Sequence, residues 1–310
     1  MLVAHSRNRR PRGTDADIAD ILGGVSSERL RAFVEMLSFP RHYLVERKSN
    51  LRARDLLLKT LQNMGYTPIV QGSYGNIVAT SSAAEDGPYL LLGAHYDSVP
   101  GTPGADDNAS AVAVCLECAK LIKEHDIGST IIVLFNREED GLLGSSEFVA
   151  HLTSQSTWTV EEAHIFEMVG FCNHAPNSQR MPPGLPGILA PNVGDFLALL
   201  ANRRSNAIAE KLLTLAASYV PESHVSALKI YLGIEKFFGH LHRSDHAPFW
   251  KAGIPSIMWT DTSEFRNPHY HLASDTPDTL DYDFMTQVAK LALARAVTRV
   301  SSDHGEASRA

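Results

Sequence analysis

Apolar positions along the chain change period several times, and each change marks an element. Ser26-Ser27-Glu28-Arg29 opens a helical pattern that runs through Glu35 and Met36, with serine at the cap and glutamate following, and Pro40 ends it. Between Asn50 and Met64, Leu51, Leu56, Leu57, Leu58 and Leu61 recur at helical spacing, and Gly65 terminates this second amphipathic helix. TPIVQG and NIVAT are short β-type runs, followed by a polar turn from Ser81 to Gly87.

PYLLLGAHYDS then reads as a strand buried on both faces, which delivers His95 and Asp97 at its end. A loop rich in proline and glycine, Val99 to Asp107, leads into a long apolar helix that begins at Asn108 or Ala109 and continues through Ile122. STIIVLFN is a second buried strand ending on Glu138-Glu139, Ser145 to Leu152 reads as helix, and AHIFEMVGF is a third buried strand carrying Glu167. Cys172 to Gly194 is dense in Pro, Gly and Asn and predicts a long irregular loop, a type that is often functional inside a compact domain. Helix returns from Asn206 to Ala217. Val225 to Ile234 has no clear period, IPSIMW is a further strand, and Asp283 to Thr298 is the final helix.

Strands alternating with helices predict an α/β fold: a three-layer sandwich with a mostly parallel mixed central sheet flanked by helices. No internal repeat or linker divides it. The expected layout is a disordered tail over 1–20, one domain over 21–300 and a polar tail over 301–310. In such sheets ligands gather at the carboxyl ends of strands, where three of the apolar runs leave their polar residues.

Composition narrows the function classes. The chain has 310 residues, 44% hydrophobic and 20% charged, and a formal net charge of −7. Its only basic cluster is Arg7, Arg9, Arg10 and Arg12, read as a solvated tail; nucleic acid is not the expected partner, because phosphate binding needs a concentrated basic surface. No apolar run reaches the ~20 residues that span a bilayer and none forms a signal-peptide core, so no membrane partner and a cytoplasmic location are expected. Of the cysteines, Cys115 and Cys118 form a CxxC inside AVAVCLECAKLI, which reads as a buried helix rather than a redox or metal motif, and Cys172 stands apart.

The chemistry-bearing residues come from separate loops. In His95-Tyr96-Asp97, residues two apart on extended chain point the same way, so Asp97 can hold and polarise the His95 imidazole. Asp106-Asp107-Asn108 lies at a loop-to-helix junction; one acid suffices for a cap, and two adjacent acids would be relieved by a divalent cation. Glu138 and Glu139 can diverge, one toward a metal and one toward a water. Glu167, in an apolar run, needs a cation or a strong hydrogen-bond partner. PHYHLASDTPDTLD offers His269 and His271, with Asp275-Thr276 ordering the loop, and HLHRSDHAPFW adds His240, His242, Asp245 and His246, most of them read as hydrogen-bonded or solvated. Together these supply nitrogen and oxygen ligands and no thiolate, a set suited to catalytic zinc; cobalt and manganese accept the same ligand types.

Five segments, GAHYDSVPGTPGADDNASAVAV, FNREEDGLLGSSEFV, FEMVG, SDHAPFWKAGIPSIMW and PHYHLASDTPDTLD, resemble the M28 metallopeptidases in order, over roughly residues 25 to 300. This family contains co-catalytic zinc aminopeptidases and glutamate carboxypeptidases, with glutaminyl cyclases as relatives. The resemblance implies a zinc-dependent exopeptidase-like fold and hydrolysis of peptide or similar amide bonds, foremost as an aminopeptidase. It implies two Zn2+ per chain, or one. Asp107 would bridge, Glu139 with His271 would complete one site, and His95 with Glu167 the other. Glu138 would be the general base for a metal-activated water, Asp97 would support His95, and Asp245 would lie behind the ligands. The family often has Asp at the position of Glu167; Glu keeps the charge with a longer reach. A glutaminyl cyclase using one zinc is an alternative, but those relatives resemble Gly-Ala-Thr-Asp at the turn and place Trp before the last histidine, where this chain has Asp106 and Tyr270. A non-catalytic M28-like binding module, as in transferrin receptors, would have a broken ligand set.

Overall fold

The computed structural model describes residues 1–81, 88–154, 156, 158–182 and 191–307. Among the described residues nine strands form one sheet: β1 (Leu2–His5), β2 (Ile69–Gln71), β3 (Asn76–Thr80), β4 (Pro88–His95), β5 (Thr130–Phe135), β6 (Thr159–Glu167), β7 (Phe196–Ala201), β8 (His224–Lys229) and β9 (Ser256–Thr260). Their order is β1-β8-β7-β9-β6-β4-β5-β3-β2. The central strands β5, β4, β6 and β9 run parallel. Antiparallel pairs bring in both flanks, β3 on β5 and β7 on β9.

Eight α-helices among the described residues cover the sheet: α1 (Ala16–Gly23), α2 (Ser27–Leu37), α3 (Arg47–Asn63), α4 (Ala111–Glu124), α5 (Leu143–Ser154), α6 (Asn206–Tyr219), α7 (His246–Ala252) and α8 (Tyr282–Ala307). The alternation of strand side chains sorts them into two layers. Leu90, Leu92 and Ala94 of β4 pack in one core with Leu30 and Val34 of α2, Leu57 of α3, Leu116 of α4 and Val288 of α8. Tyr89 and Leu91, on the opposite face, pack with Phe148 of α5 and Phe249 of α7. The hydrophobic content of the parallel strands is therefore consumed on both faces, which is why they read as unbroken apolar runs.

Two boundary expectations are corrected. Residues 1–20 are not a free tail: β1 pairs antiparallel with β8, and the Ser6 hydroxyl accepts from Val225 N–H at 3.1 Å. Asp15 caps α1 by accepting from the amides of Asp17 and Ile18, and Arg9 forms an ion pair with Glu210. LVAH is too short to show a period, and its partner strand lies more than 200 residues away, so nothing local announces it. At the other end α8 continues to Ala307 instead of stopping at Thr298. The polar turn expected at Ser81 to Gly87 and part of the loop expected at Cys172 to Gly194 fall on 82–87 and 183–190, outside the described residues. Where that loop is described it is irregular, with one bridge from Asn173 to Gly194. Among the described residues no helix is long and apolar enough to cross a membrane.

Candidate metal centre

The carboxyl ends of β4, β5 and β6 bring their polar residues to one place, and two loops complete it. His95 is the last residue of β4 and Glu167 the last of β6, while Glu138 and Glu139 follow β5. Asp107 lies in the irregular turn Ala105–Ser110, and His271 in the loop before α8. Their ligand-type atoms form overlapping triads: His95–Asp107–Glu167, Asp107–Glu139–His271 and His95–Glu138–Glu139, each with atoms within 4.8 Å of one another.

Asp107 joins two of these triads. Its Oδ1 stands 3.4 Å from His95 Nε2, and its Oδ2 stands 3.1 Å from His271 Nε2. On the first side Glu167 Oε2 is 3.4 Å from His95 Nε2; on the second, Glu139 Oε2 is 3.8 Å from His271 Nε2. Glu138 Oε2 is 4.0 Å from His95 Nε2.

These residues fit a pair of cations. Both ring nitrogens of His95, Oδ1 of Asp107 and Oε1 of Glu139 are buried and make no hydrogen bond among the described residues, a costly arrangement unless something else satisfies them. Burial pushes the Glu138 and Glu139 carboxyls well up, and their carboxylate neighbours push further, against the attraction of His95. Burial would lower His95, yet Glu167 and Glu138 outweigh it and drive it up; burial would raise Asp107, yet His271 and His95 drive it down. The raised Glu138, Glu139 and His95 report crowded negative charge that a cation would relieve, while the lowered Asp107 reports the two imidazoles on either side of it.

Surrounding groups hold the ligands in place. Asp97 accepts from the amides of Glu138 at 3.2 Å and Glu139 at 3.3 Å, while its Oδ1 lies 3.4 Å from His95 Nδ1, so one carboxylate orients three members of the cluster. Ser244 donates to Glu167 Oε2 at 2.7 Å. Asp245 is fully buried behind the cluster, where burial lifts it to about 7 against the pull of His95. The backbone is strained beside the ligands: Arg137, Met168 and His271 all have φ between 49° and 65°. Gly104 (φ 59°) is required, because a Cβ there would lie 2.3 Å from the Asp107 carbonyl oxygen.

Further residues position the cluster, and one of them, Arg41, had no signal in the sequence. Arg41 is fully buried and donates to the carbonyls of Tyr96, Leu37, Phe39, Pro103 and Gly104, tying the end of β4 to the Asp107 turn. Asp275 accepts from the amides of Asp106 at 2.8 Å and Asp107 at 3.1 Å; it orders the Asp107 turn as well as its own loop. Asn108 accepts from Met168 N–H and donates to the Phe166 carbonyl, which fastens that turn to β6. Asp106 faces away from the triads, accepting from Gly170 N–H and Asn267 Nδ2.

Other candidates lie outside the triads. His269 pairs with Ser274 at 3.0 Å. His246 bonds the Leu241 carbonyl and His242 that of Glu235, both packed on the Trp250 ring. His240 sits edge-on to Phe265. Cys115 and Cys118 are buried in α4. Beside Glu167 opens a largely apolar chamber of about 180 Å3, whose walls include Phe196, Leu200, Leu228, Met258, Phe265 and Tyr270.

Known proteins resemble this chain in sequence and in fold. YfbL of Escherichia coli strain K12, an uncharacterised protein, is 36% identical over 233 residues, covering 71% of this chain and 70% of that protein. Aminopeptidase YwaD of Bacillus subtilis strain 168 is 30% identical over 218 residues, 69% of this chain but only 42% of that protein. The crystal structure of the LapA aminopeptidase of Legionella pneumophila superposes with a TM-score of 0.72 at 20% identity, covering 93% of this chain and 78% of that one, a likeness of fold. Residues 76–296 match the sequence profile of peptidase family M28, and the chain belongs to that family.

Proposed function

We propose that the protein is a zinc-dependent aminopeptidase in which Asp107 bridges two ions, Glu139 and His271 complete one site, and His95 and Glu167 complete the other. The observation that carries the reading is the division of Asp107, whose two oxygens face two different histidines 3.4 and 3.1 Å away. An unbroken set of two histidines and three carboxylates argues for a two-ion hydrolase over a one-zinc cyclase or a ligand-free binding module.

When bound, the ions supply Lewis acidity, polarising a peptide carbonyl and lowering the pKa of an adjacent water. Glu138 is the proton carrier. Burial and neighbouring carboxylates raise its proton affinity, so it can take a proton from the attacking water and return it to the leaving amine. Asp97 keeps that carboxylate in register through its bond to the Glu138 amide. Glu167, with a longer side chain than Asp, reaches the cluster from the end of β6 and is fixed there by Ser244.

The amino-terminal direction rests on charge. The centre gathers the six carboxyl groups of Asp97, Asp107, Glu138, Glu139, Glu167 and Asp245 against the four positive charges of two ions, an excess that favours a substrate ammonium. Arg243, at the mouth of the chamber, is already matched: it pairs with Glu264 and donates to the Tyr270 hydroxyl at 2.9 Å. The apolar chamber next to Glu167 favours a substrate with a large apolar first side chain.

Aminoacyl anilides test the reading. Zinc-loaded protein should hydrolyse anilides with a free amino group and apolar side chain, and spare the same compounds when N-acetylated. Equal cleavage of the acetylated forms would overturn the amino-terminal direction. Ammonia release from a Gln-initial peptide without chain cleavage would assign the cyclase reaction instead.

A further inference from the structure

A second cluster of ligand-type side chains lies just past β6 and has no part in the reaction above. Cys172, His174 and Asp281 present a thiol sulfur, a ring nitrogen and a carboxylate oxygen, all within 4.8 Å of one another. Cys172 Sγ and His174 Nε2 are 3.6 Å apart. Zinc–sulfur and zinc–nitrogen bonds of about 2.3 and about 2.05 Å, meeting at a tetrahedral angle, place those atoms about 3.5 Å apart. The two side chains therefore already stand at the separation a shared ion would impose.

Asp281 is held for a third contact. Its Oδ1 accepts from the amides of Asp283 and Phe284 at the start of α8, and its own N–H donates to the Gly170 carbonyl. Among the described residues no hydrogen bond forms to its Oδ2. Cys172 is half-buried against the core while His174 is exposed, so the trio faces solvent on one side only.

The same three residue types could instead form a reactive thiol beside a histidine. The surroundings oppose that. Burial, followed by Asp281 and then by Asp195 and Asp261 against Arg266, holds the Cys172 thiol up at about 11. A nucleophilic cysteine needs the opposite environment, whereas a divalent cation is what an anionic pocket would use to draw the proton off sulfur.

We propose that Cys172, His174 and Asp281 bind one zinc-type divalent ion, separate from the catalytic centre, with its fourth position open to solvent. On binding, the Cys172 thiol releases its proton to water and the thiolate takes up the ion. The ion joins the segment after β6 to the start of α8. It acts close to the Asp107 turn, because Gly170, whose carbonyl receives the Asp281 amide, donates its own N–H to Asp106.

Cobalt titration of the chelator-stripped full chain tests this. The proposed catalytic ligands contain no sulfur, and Cys115 and Cys118 are fully buried within α4, so thiolate-to-cobalt charge-transfer absorption in the near ultraviolet can only report Cys172. A band whose full intensity corresponds to one thiolate-bound cobalt per chain, beyond the cobalt taken up by the catalytic centre, is expected, and zinc should displace it. Cys172→Ser should abolish the band and one equivalent of bound metal while anilide hydrolysis persists; His174→Ala, at an exposed position, should move the band's midpoint to higher cobalt. Absence of the band at saturating cobalt, or its persistence in Cys172→Ser, would overturn the proposal. So would rapid zinc-insensitive alkylation of Cys172 at neutral pH. The readout is sulfur–metal absorption, so it stands or falls apart from the peptidase reading.

Discussion

Asp107 Oδ1 lies 3.4 Å from His95 Nε2 and Asp107 Oδ2 lies 3.1 Å from His271 Nε2, on opposite sides of one carboxylate. Removing a residue on one side should therefore cost less than removing the residue between. His271→Ala should lose one equivalent of zinc and keep the ion held by His95 and Glu167. Asp107→Ala should lose both, with metal content of dialysed protein as the measurement. Retention of both equivalents in Asp107→Ala would contradict the bridging role.

Glu138 is assigned to proton transfer and not to holding metal. Glu138→Gln should keep its zinc content and slow turnover by ~10² to 10⁴ with little change in KM, the usual range for loss of a general base. Steady-state kinetics alongside metal analysis will separate this from a ligand defect, in which activity and zinc fall together.

Among the described residues Arg41 has no carboxylate partner within hydrogen-bond reach; it spends its donors on backbone carbonyls on both sides of the ligand-bearing segments. Burial lowers it to about 10, still well above neutral, so it remains charged. Arg41→Met should destabilise the protein by at least about 3 kcal/mol, because several buried carbonyls lose their donor together. It should also weaken zinc retention, since the Asp107 turn loses its tie to β4. Urea unfolding of the zinc-loaded protein and a zinc competition assay measure the two effects.

Away from the centre, Glu162 on β6 bonds His164 at 3.2 Å and Arg295 of α8 at 3.0 Å. Burial would raise its pKa, but those partners outweigh burial and bring it from 4.5 down to about 2. A carboxyl depressed in the folded state stabilises it fully above the unfolded pKa, and that stabilisation is lost as pH falls through the folded pKa. The wild-type chain should lose on the order of 3 kcal/mol from this group between about pH 4.5 and about pH 2. Glu162→Gln should be less stable at neutral pH and show a shallower acid limb in urea midpoints measured against pH.

The parts of the fold that were legible in the sequence are those with a local signature. The runs PYLLLGAHYDS, STIIVLFN and AHIFEMVGF announce buried strands because both faces are covered, and the acids and histidine at their ends stand out against apolar neighbours. β7 (FLALLA) is bounded by turn residues, but a six-residue apolar run without alternation reads as buried helix as easily as strand; β8 (HVSALK) has no clear period, and β1 depends on a partner more than 200 residues away. Glu167 could be found because a carboxylate is costly inside an apolar run, and Glu138 because, with Glu139, it directly follows one. Arg41 could not, since a buried arginine bonded to carbonyls looks in sequence like any arginine after a proline. Asp275 was visible as a loop-ordering residue, but its hold on the Asp106 and Asp107 amides spans more than 160 residues and has no local trace.

The most direct test of the central claim is the rate of aminoacyl-anilide hydrolysis as zinc is returned to chelator-stripped protein. The arrangement around Asp107 predicts no hydrolysis without metal, recovery as zinc is added, and in Glu138→Gln a recovery that stays ~10² to 10⁴-fold below wild type at every zinc level. Hydrolysis that survives complete removal of metal, or none at saturating zinc in the wild-type protein, would contradict it.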